Sequence, residues 1–250
     1  MPLITFTSDF GESDHYVAQG KAVMLSNFPE AHIIDISHNI KPFDIGHMSQ
    51  VLKSVFRSFP EGTVHLVGGE PLTSQKHRFI ILELEKHIFV APNNGVLSLI
   101  SEKPAQQAFS IAVEAHAHVE VPLIAAQIAK GTPLKDLGDP DPELKVYSNR
   151  KSRATRSEIS GHVVYIDHYG NLITNIEKSD FDILSKDKNI VLSFGRESIN
   201  EIHKWISDVE PSEIFAIFNA QGQLMIGMNE GNASQLLGLR HDSVIQLTFK

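Results

Sequence analysis

Four short strings gather the side chains that could do chemistry in this 250-residue chain. Ser8-Asp9-Phe10-Gly11 sets a carboxylate beside an aromatic ring. Glu70-Pro71-Leu72-Thr73-Ser74-Gln75-Lys76-His77-Arg78 offers a carboxylate, an imidazole and a guanidinium. His116-Ala117-His118-Val119-Glu120 offers two alternating imidazoles, and Asp167-His168-Tyr169-Gly170-Asn171 reads as a polar turn. A carboxylate or imidazole near a water can take its proton, and a cation beside it can fix the charge. On a strand, His116 and His118 could hold a metal, with Glu70 and His77 completing the set. No helical His-Glu-x-x-His accompanies them, and the other residues among the 13 histidines are scattered, so no metal is expected. No Gly-x-Ser-x-Gly elbow occurs, and Gly68-Gly69 is too short for a dinucleotide or phosphate-loop fingerprint.

The elements that must carry these strings follow from periodicity. Leu3–Thr7 is a β-type run that ends at the Asp9 string. Asp14 stands where a helix cap belongs, ahead of Tyr16, Val17, Ala18, Ala22, Val23 and Leu25 at helical spacing. His32–Ile36, Thr63–Val67, Phe79–Leu84 and Ile88–Ala91 read as strands, Ile45–Phe56 and Pro122–Lys130 as helices. Strands alternating with helices predict an α/β layer with a largely parallel sheet, whose ligands gather at the carboxyl ends of strands. Near Gly138–Arg156 the composition turns to Gly, Pro, Asp and basic residues. Beyond it strands dominate: Ser157–Asp167, Leu172–Ile176, Ile190–Phe194, Glu213–Asn219, Leu224–Met228 and Ser243–Phe249, with a hairpin turn at Ala220-Gln221-Gly222. Two domains are expected, residues 1–150 (α/β) and 151–250 (mainly antiparallel β).

Composition narrows the class. At 42% hydrophobic and 21% charged, the chain can bury a core and is not disordered. Zero cysteines exclude disulfides, thiolate metal sites and a cysteine nucleophile, and fit a reducing cytoplasm. A net charge of -8 argues against a general nucleic-acid binder. No stretch reaches the ~20 apolar residues of a membrane helix, and the acidic start does not read as a signal peptide.

Five strings stand out in order and spacing: Thr7-Ser8-Asp9-Phe10-Gly11 with Asp14 and Tyr16, Ile34-Asp35-Ile36-Ser37-His38 leading to Lys41-Pro42-Phe43-Asp44, Phe59-Pro60-Glu61-Gly62-Thr63-Val64-His65, Val90-Ala91-Pro92-Asn93-Asn94-Gly95-Val96-Leu97, and Ile166 through Ile176. Together they resemble the S-adenosylmethionine hydroxide adenosyltransferase family, relatives of the fluorinase and chlorinase enzymes. The resemblance runs from Leu3 to about Leu239. It implies a three-layer α/β domain, a smaller β-barrel-like domain, and a homotrimer whose active sites lie between subunits. The implied reaction is displacement at C5′ of the S-adenosylmethionine ribose, by water in the common members, giving adenosine and methionine without a cofactor. A binder that does not turn over is the alternative, and a halide-using transferase a more remote one.

The resemblance also assigns residues. Asp9 is implied to bind the ribose, since one carboxylate can accept from both vicinal hydroxyls, against the plainer reading of a helix cap. Phe43 and Trp205 are implied as aromatic faces for adenine, Asn94 as a substrate contact, Asp167 as the partner of the methionine ammonium, and Asn171 as the adenine-edge partner; ordinary core packing and turn chemistry are the competing readings. The family's water-activating trio is Asp, Arg and His. Here Glu70 stands at the Asp position without its following glycines, His77 falls on the Arg position with Arg78 one step later, and His116 is the best match for the His, with His118 the alternative. Glu carries one methylene more than Asp, and His is charged only at lower pH, whereas Arg is always charged.

Overall fold

The structure, a computed structural model, describes residues 2–69, 77–113 and 116–250, and of His77 and Arg78 the backbone alone. The chain divides into two compact units, Met1–Ser148 and Asn149–Lys250.

The first unit runs β1 (Leu3–Thr7), α1 (Tyr16–Asn27), β2 (His32–Ser37), α2 (Ile45–Val55), β3 (Val64–Val67), β4 (His77–Leu84), β5 (His87–Pro92), β6 (Gln107–Val113), α3 (Ala117–Lys130) and β7 (Asp139–Pro140). Its sheet has the order β2-β1-β3-β5-β4-β6-β7. The half that carries the polar loops, β2-β1-β3-β5, is parallel; β4 returns antiparallel to β5 and β6, and β7 extends that edge.

Alternation along each strand builds two cores, one on each face. Ile4, Phe6, Val64, Leu66, Phe79, Ile81 and Val90 point toward Met24 of α1 and Val121, Ala125 and Ala126 of α3. Val67, Ile80, Leu82, Leu84, Phe89 and Ala91 point toward Met48 and Leu52 of α2 and toward Phe56. Strands apolar on both faces belong inside a layer of helices, and the result is a three-layer sandwich.

Two histidines interrupt the apolar rule inside the second core and satisfy each other. Thr5 Oγ1 lies 2.7 Å from His65 Nδ1, and His65 Nε2 lies 3.0 Å from His87 Nδ1. Burial, reinforced by the neighbouring His87, pushes the His65 imidazole down to about 3, so the pair is held neutral.

The second unit contains β8 (Arg153–Ala154), β9 (Glu158–Ile166), β10 (Leu172–Glu177), α4 (Lys178–Leu184), β11 (Ile190–Phe194), β12 (Glu197–Ile199), β13 (Ile214–Phe218), β14 (Gln223–Met228), α5 (Ala233–Leu237) and β15 (Val244–Phe249). Its sheet, β12-β11-β15-β9-β10-β14-β13 with β8 on β9, is antiparallel throughout. It forms a half-barrel around Ile159, Val163, Leu172, Leu192, Phe194, Ile226 and Leu247. The β13–β14 hairpin closes through Gly222 at φ +75, where the Ala220-Gln221-Gly222 turn is expected.

Two expectations are corrected and one long strand is added. Asp14 does not cap α1: His15 occupies the cap position, without a side-chain cap bond. Helix α3 starts at Ala117 rather than Pro122, with the His116 carbonyl accepting from Val119 and Glu120. Proline favours a first turn, but burial of Ala117 and Val121 against the sheet carries the helix through it. Strand β6, unmarked in the sequence reading, is placed by its register with β4.

Candidate substrate site at the carboxyl ends of β1 and β3

Because β1 and β3 are parallel neighbours with Thr7 opposite Val67, the loops that follow them emerge side by side. Gly68 N–H donates to the Thr7 carbonyl at 2.8 Å. From the first loop, Asp9 Oδ2 accepts from the Phe43 N–H at 2.9 Å. Phe43 sits at φ +63, a conformation that strains a bulky residue, and its ring is 71% exposed. Asp44 then caps α2 by accepting from His47 N–H at 2.9 Å. Asp9 Oδ1 receives no hydrogen bond from the described residues.

Two glycines make this closeness possible. A Cβ on Gly69, at φ +130, would stand 2.8 Å from Asp9 Oδ1, and one on Gly68 would stand 2.9 Å from the Phe10 ring. Only a residue without a side chain lets the β3 loop lie against the carboxylate.

Beside Asp9 and Phe43 opens a cavity of ≈ 330 Å³ walled by Phe6, Phe10, Tyr16, Phe79, His118 and Pro122. A smaller one of ≈ 160 Å³ shares Asp9, Phe43, Gly68 and Gly69 and adds Asn94 and Lys145. Asn94 Oδ1 accepts from Val96 N–H at 3.1 Å. At the rim the Tyr16 ring meets His118 edge-on at 5.6 Å and stacks on His15 at 4.5 Å. Burial, and then the charges of His116 and His15, hold the His118 imidazole below its ordinary value.

The expected residues are thus sorted. Asp9, Phe43 and Asn94 come together in the first unit, and His118 joins them. His116 is exposed at the start of α3, its N–H donating to Glu120 Oε1 at 3.0 Å; it does not line either cavity. Glu70 lies outside the described residues, and His77 and Arg78 open β4 opposite Val113 and Ala112. Among the described residues no three His, Asp or Glu converge as metal donors.

In the second unit Asp167 and Asn171 close the β9–β10 turn on each other. Asp167 Oδ1 accepts from Tyr169 N–H at 3.0 Å and Asn171 N–H at 2.9 Å, and Oδ2 from Asn171 Nδ2 at 2.9 Å. Trp205 is 60% exposed, its N–H donating to Asp208 Oδ2 at 2.8 Å. The sequence reading missed the roles of Tyr16 and Gly68-Gly69 in the cavity; a glycine pair directly after a parallel strand was the available signal.

An apolar, aromatic-walled cavity with one carboxylate, at the carboxyl ends of adjacent parallel strands, defines a small-molecule site of the α/β class. The family model of the SAM hydroxide adenosyltransferase N-terminal domain matches residues 4–138, and that of the C-terminal domain residues 161–246. The chain belongs to the SAM hydroxide adenosyltransferase family. It is 26% identical to an (R)-S-adenosyl-L-methionine hydrolase of Methanocaldococcus jannaschii over 100% of this chain and 97% of the relative. To a fluorinase of Actinoplanes sp. it is 29% identical, over 72% of this chain and 74% of the relative. A crystal structure of an uncharacterised conserved protein from Thermotoga maritima superposes with a TM-score of 0.87 at 30% identity, covering 98% of this chain and 99% of the other.

Proposed function

We propose that this protein hydrolyses S-adenosyl-L-methionine to adenosine and L-methionine. The observation that carries the reading is Asp9, a carboxylate fixed through one oxygen beside an aromatic-walled cavity and open at the other to the described residues. Such a group suits a ribose diol, and the exposed Phe43 ring suits the purine face. Support for water rather than halide comes from coverage: the hydrolase relative spans the chain, the fluorinase about three quarters of it.

In this reading an oxygen–C5′ bond forms as the C5′–sulfur bond breaks, and the electron pair leaves with methionine as a neutral thioether. The sulfonium needs no acid and no cofactor, so the protein has to align water and accept its proton. Glu70 and His118 are the candidates for that base; His118 takes precedence over His116 because it lines the cavity. His77 or Arg78 would supply the balancing charge. Asp167, Asn171 and Trp205 would complete the site from a neighbouring subunit, in a cytoplasmic trimer of about 83 kDa, three copies of a 27.7 kDa chain with closed symmetry.

The purified protein, incubated with each sulfonium epimer of S-adenosylmethionine, should release adenosine and methionine resolved by chromatography. Unchanged substrate at high enzyme concentration would overturn the activity, and tight adenosine binding without turnover would favour a non-catalytic binder. Activity recovered on mixing inactive Asp9→Ala and Asp167→Ala chains would support the shared site; a monomer by light scattering would remove it.

A further inference from the structure

Beneath Asp9 runs a line of polar groups that the proposed chemistry does not use. Ser8 Oγ lies 2.7 Å from His38 Nδ1, His38 Nε2 lies 3.2 Å from Asp35 Oδ1, and Lys21 Nζ donates to Asp35 Oδ2. Ser8 and His38 are buried, at 0% and 4% exposure. The line therefore leads from a surface lysine on α1, through the end of β2, to the residue that precedes Asp9.

Ser, His and Asp in this order have the composition of a nucleophilic triad, but the geometry argues otherwise. Ser8 is fully buried and belongs to the wall of neither cavity, so no substrate reaches its hydroxyl. What the hydroxyl touches is backbone: Phe10 N–H, on the far side of Asp9, donates to Ser8 Oγ at 3.4 Å. The same segment grips both flanks of the carboxylate, since Ser8 N–H donates to the Ser37 carbonyl at 3.0 Å and Gly11 N–H to the His38 carbonyl at 2.9 Å.

A register shift brings this about. Phe6 pairs with Asp35 and Thr7 with Ser37, so Ile36 is an extra residue in β2. Bulges of this kind re-aim side chains beside sites; here the chain turns so that His38 comes back over Asp35. The donors form one consistent set. Lys21 can only donate, so it occupies Oδ2 and leaves Oδ1 to face His38 Nε2–H; Nδ1 is then free to accept from the Ser8 hydroxyl, whose lone pairs receive Phe10 N–H. Among the described residues the buried Nε2 makes no hydrogen bond of good geometry, so its tie to Asp35 is the 3.2 Å contact itself. Burial would raise the Asp35 carboxyl, but bonds from Lys21 and His38 outweigh it and hold the group below its ordinary value.

We propose that His38 is a positioning residue, which, held by Asp35 and Lys21, fixes through Ser8 where the Asp9 carboxylate stands. The proposal rests on the reading of Asp9 as the ribose-binding group. It makes the diol preference of the site depend on a side chain that no ligand touches.

Calorimetry with adenosine and 2′,3′-dideoxyadenosine, which lacks the diol, separates positioning from general structural damage. Wild type should prefer adenosine, and Asp9→Ala should erase the preference. His38→Ala should weaken adenosine about tenfold, the size of one charge-assisted hydrogen bond, while dideoxyadenosine stays within about twofold. His38→Asn, whose amide falls near the Nδ1 place, should recover part of the loss. In Asp35→Asn, Lys21 claims the amide oxygen and the amide N–H2 faces His38, which reverses the imidazole tautomer; a loss of about threefold in adenosine alone is expected. An unchanged preference in His38→Ala, or an equal loss for both ligands, overturns the relay. Should His38→Ala fail to fold by circular dichroism, Asp35→Asn at its partly exposed position decides, and an unchanged preference there overturns it equally. A wild type without preference, or Asp9→Ala that keeps it, sinks the Asp9 reading and the relay with it; loss in Asp9→Ala but not in His38→Ala sinks the relay alone.

Discussion

Asp9 and Asp167 each follow a strand, stand two and three residues before a glycine respectively, and belong to strings that the family resemblance marks, yet the two units treat them differently. Asp9 spends one oxygen on Phe43 N–H and keeps the other against Gly69, beside a cavity. Asp167 spends both oxygens on its own turn, accepting from Tyr169 and twice from Asn171. A carboxylate turned onto its own loop holds that loop and keeps only a spare lone pair for a ligand; one left open to a cavity offers a whole oxygen. The first unit therefore keeps its binding capacity through a strained Phe43 and a glycine that admits close approach at position 69, while the second keeps its turn through satisfied bonds.

The largest effect that tests this contrast falls on Asp9. Asp9→Ala should weaken adenosine about 100-fold, the loss of two charge-assisted bonds, while unfolding free energy falls by only about 1 kcal/mol, since a single exposed Phe43 N–H loses its acceptor; calorimetry and urea titration read the two. Equal damage to stability would erase the distinction. Gly69→Ala should follow closely, costing about 10- to 100-fold in turnover, because its Cβ would stand 2.8 Å from Asp9 Oδ1 at φ +130.

Acid should separate the units next. His65, pushed down to about 3 in the folded state by burial and His87, takes up a proton near pH 6.5 once unfolded. Its neutral, buried form is therefore no burden above pH 6.5, and stability falls as pH drops toward 3, by about 1.4 kcal/mol per pH unit. Glu85, held at about 2 chiefly by Arg57 against its burial, with help from Lys103 and Ser101, adds a second loss that begins only below about pH 4.5. Both groups lie in the first unit, with α1, α2 and α3, whereas Trp205, the one tryptophan, lies in the second. On acid titration the helical circular dichroism should fail at higher pH than the Trp205 fluorescence changes; the reverse order would refute the assignment.

In the second unit, Asp167→Ala should cost about 1–3 kcal/mol of stability by leaving three donors without their acceptor, measured by urea unfolding of that variant. A smaller loss together with weakened substrate would show that its binding role outweighs its hold on the turn. Trp205→Ala should do least to the fold, within ~0.5 kcal/mol, because its ring is mostly exposed. Any fall in adenosine affinity in that variant would show the ring meeting ligand in the assembled protein.

Much of this was legible in the residues. Long apolar runs such as Phe79–Leu84 carry their state in their own pattern, and the structure extends that strand to His77–Leu84. Asp9 was singled out by the motif that the chain shares with its family, since the residues alone also allowed a helix cap, and its place beside the cavity follows from the β1–β3 pairing. Short elements were not: α4 and α5 span Lys178–Leu184 and Ala233–Leu237, too few turns for a period to show. Which of His116 and His118 lines the cavity was also beyond the sequence, since it turns on where α3 begins. That start is set by packing of Ala117 and Val121 on the sheet, against the local preference of Pro122.

The sequence by itself determined most of the longer strands, β6 excepted, and which motifs place the chain in its family, because each of these is written in neighbouring residues. Tertiary structure alone decided which polar groups meet. Asp9 finds Phe43 across 34 positions of chain, Ser8 finds His38 across 30, and Thr5 finds His65 across 60. Hydrogen bonds act only within a few ångströms, so their partners are chosen by the order and register of strands that no local pattern specifies.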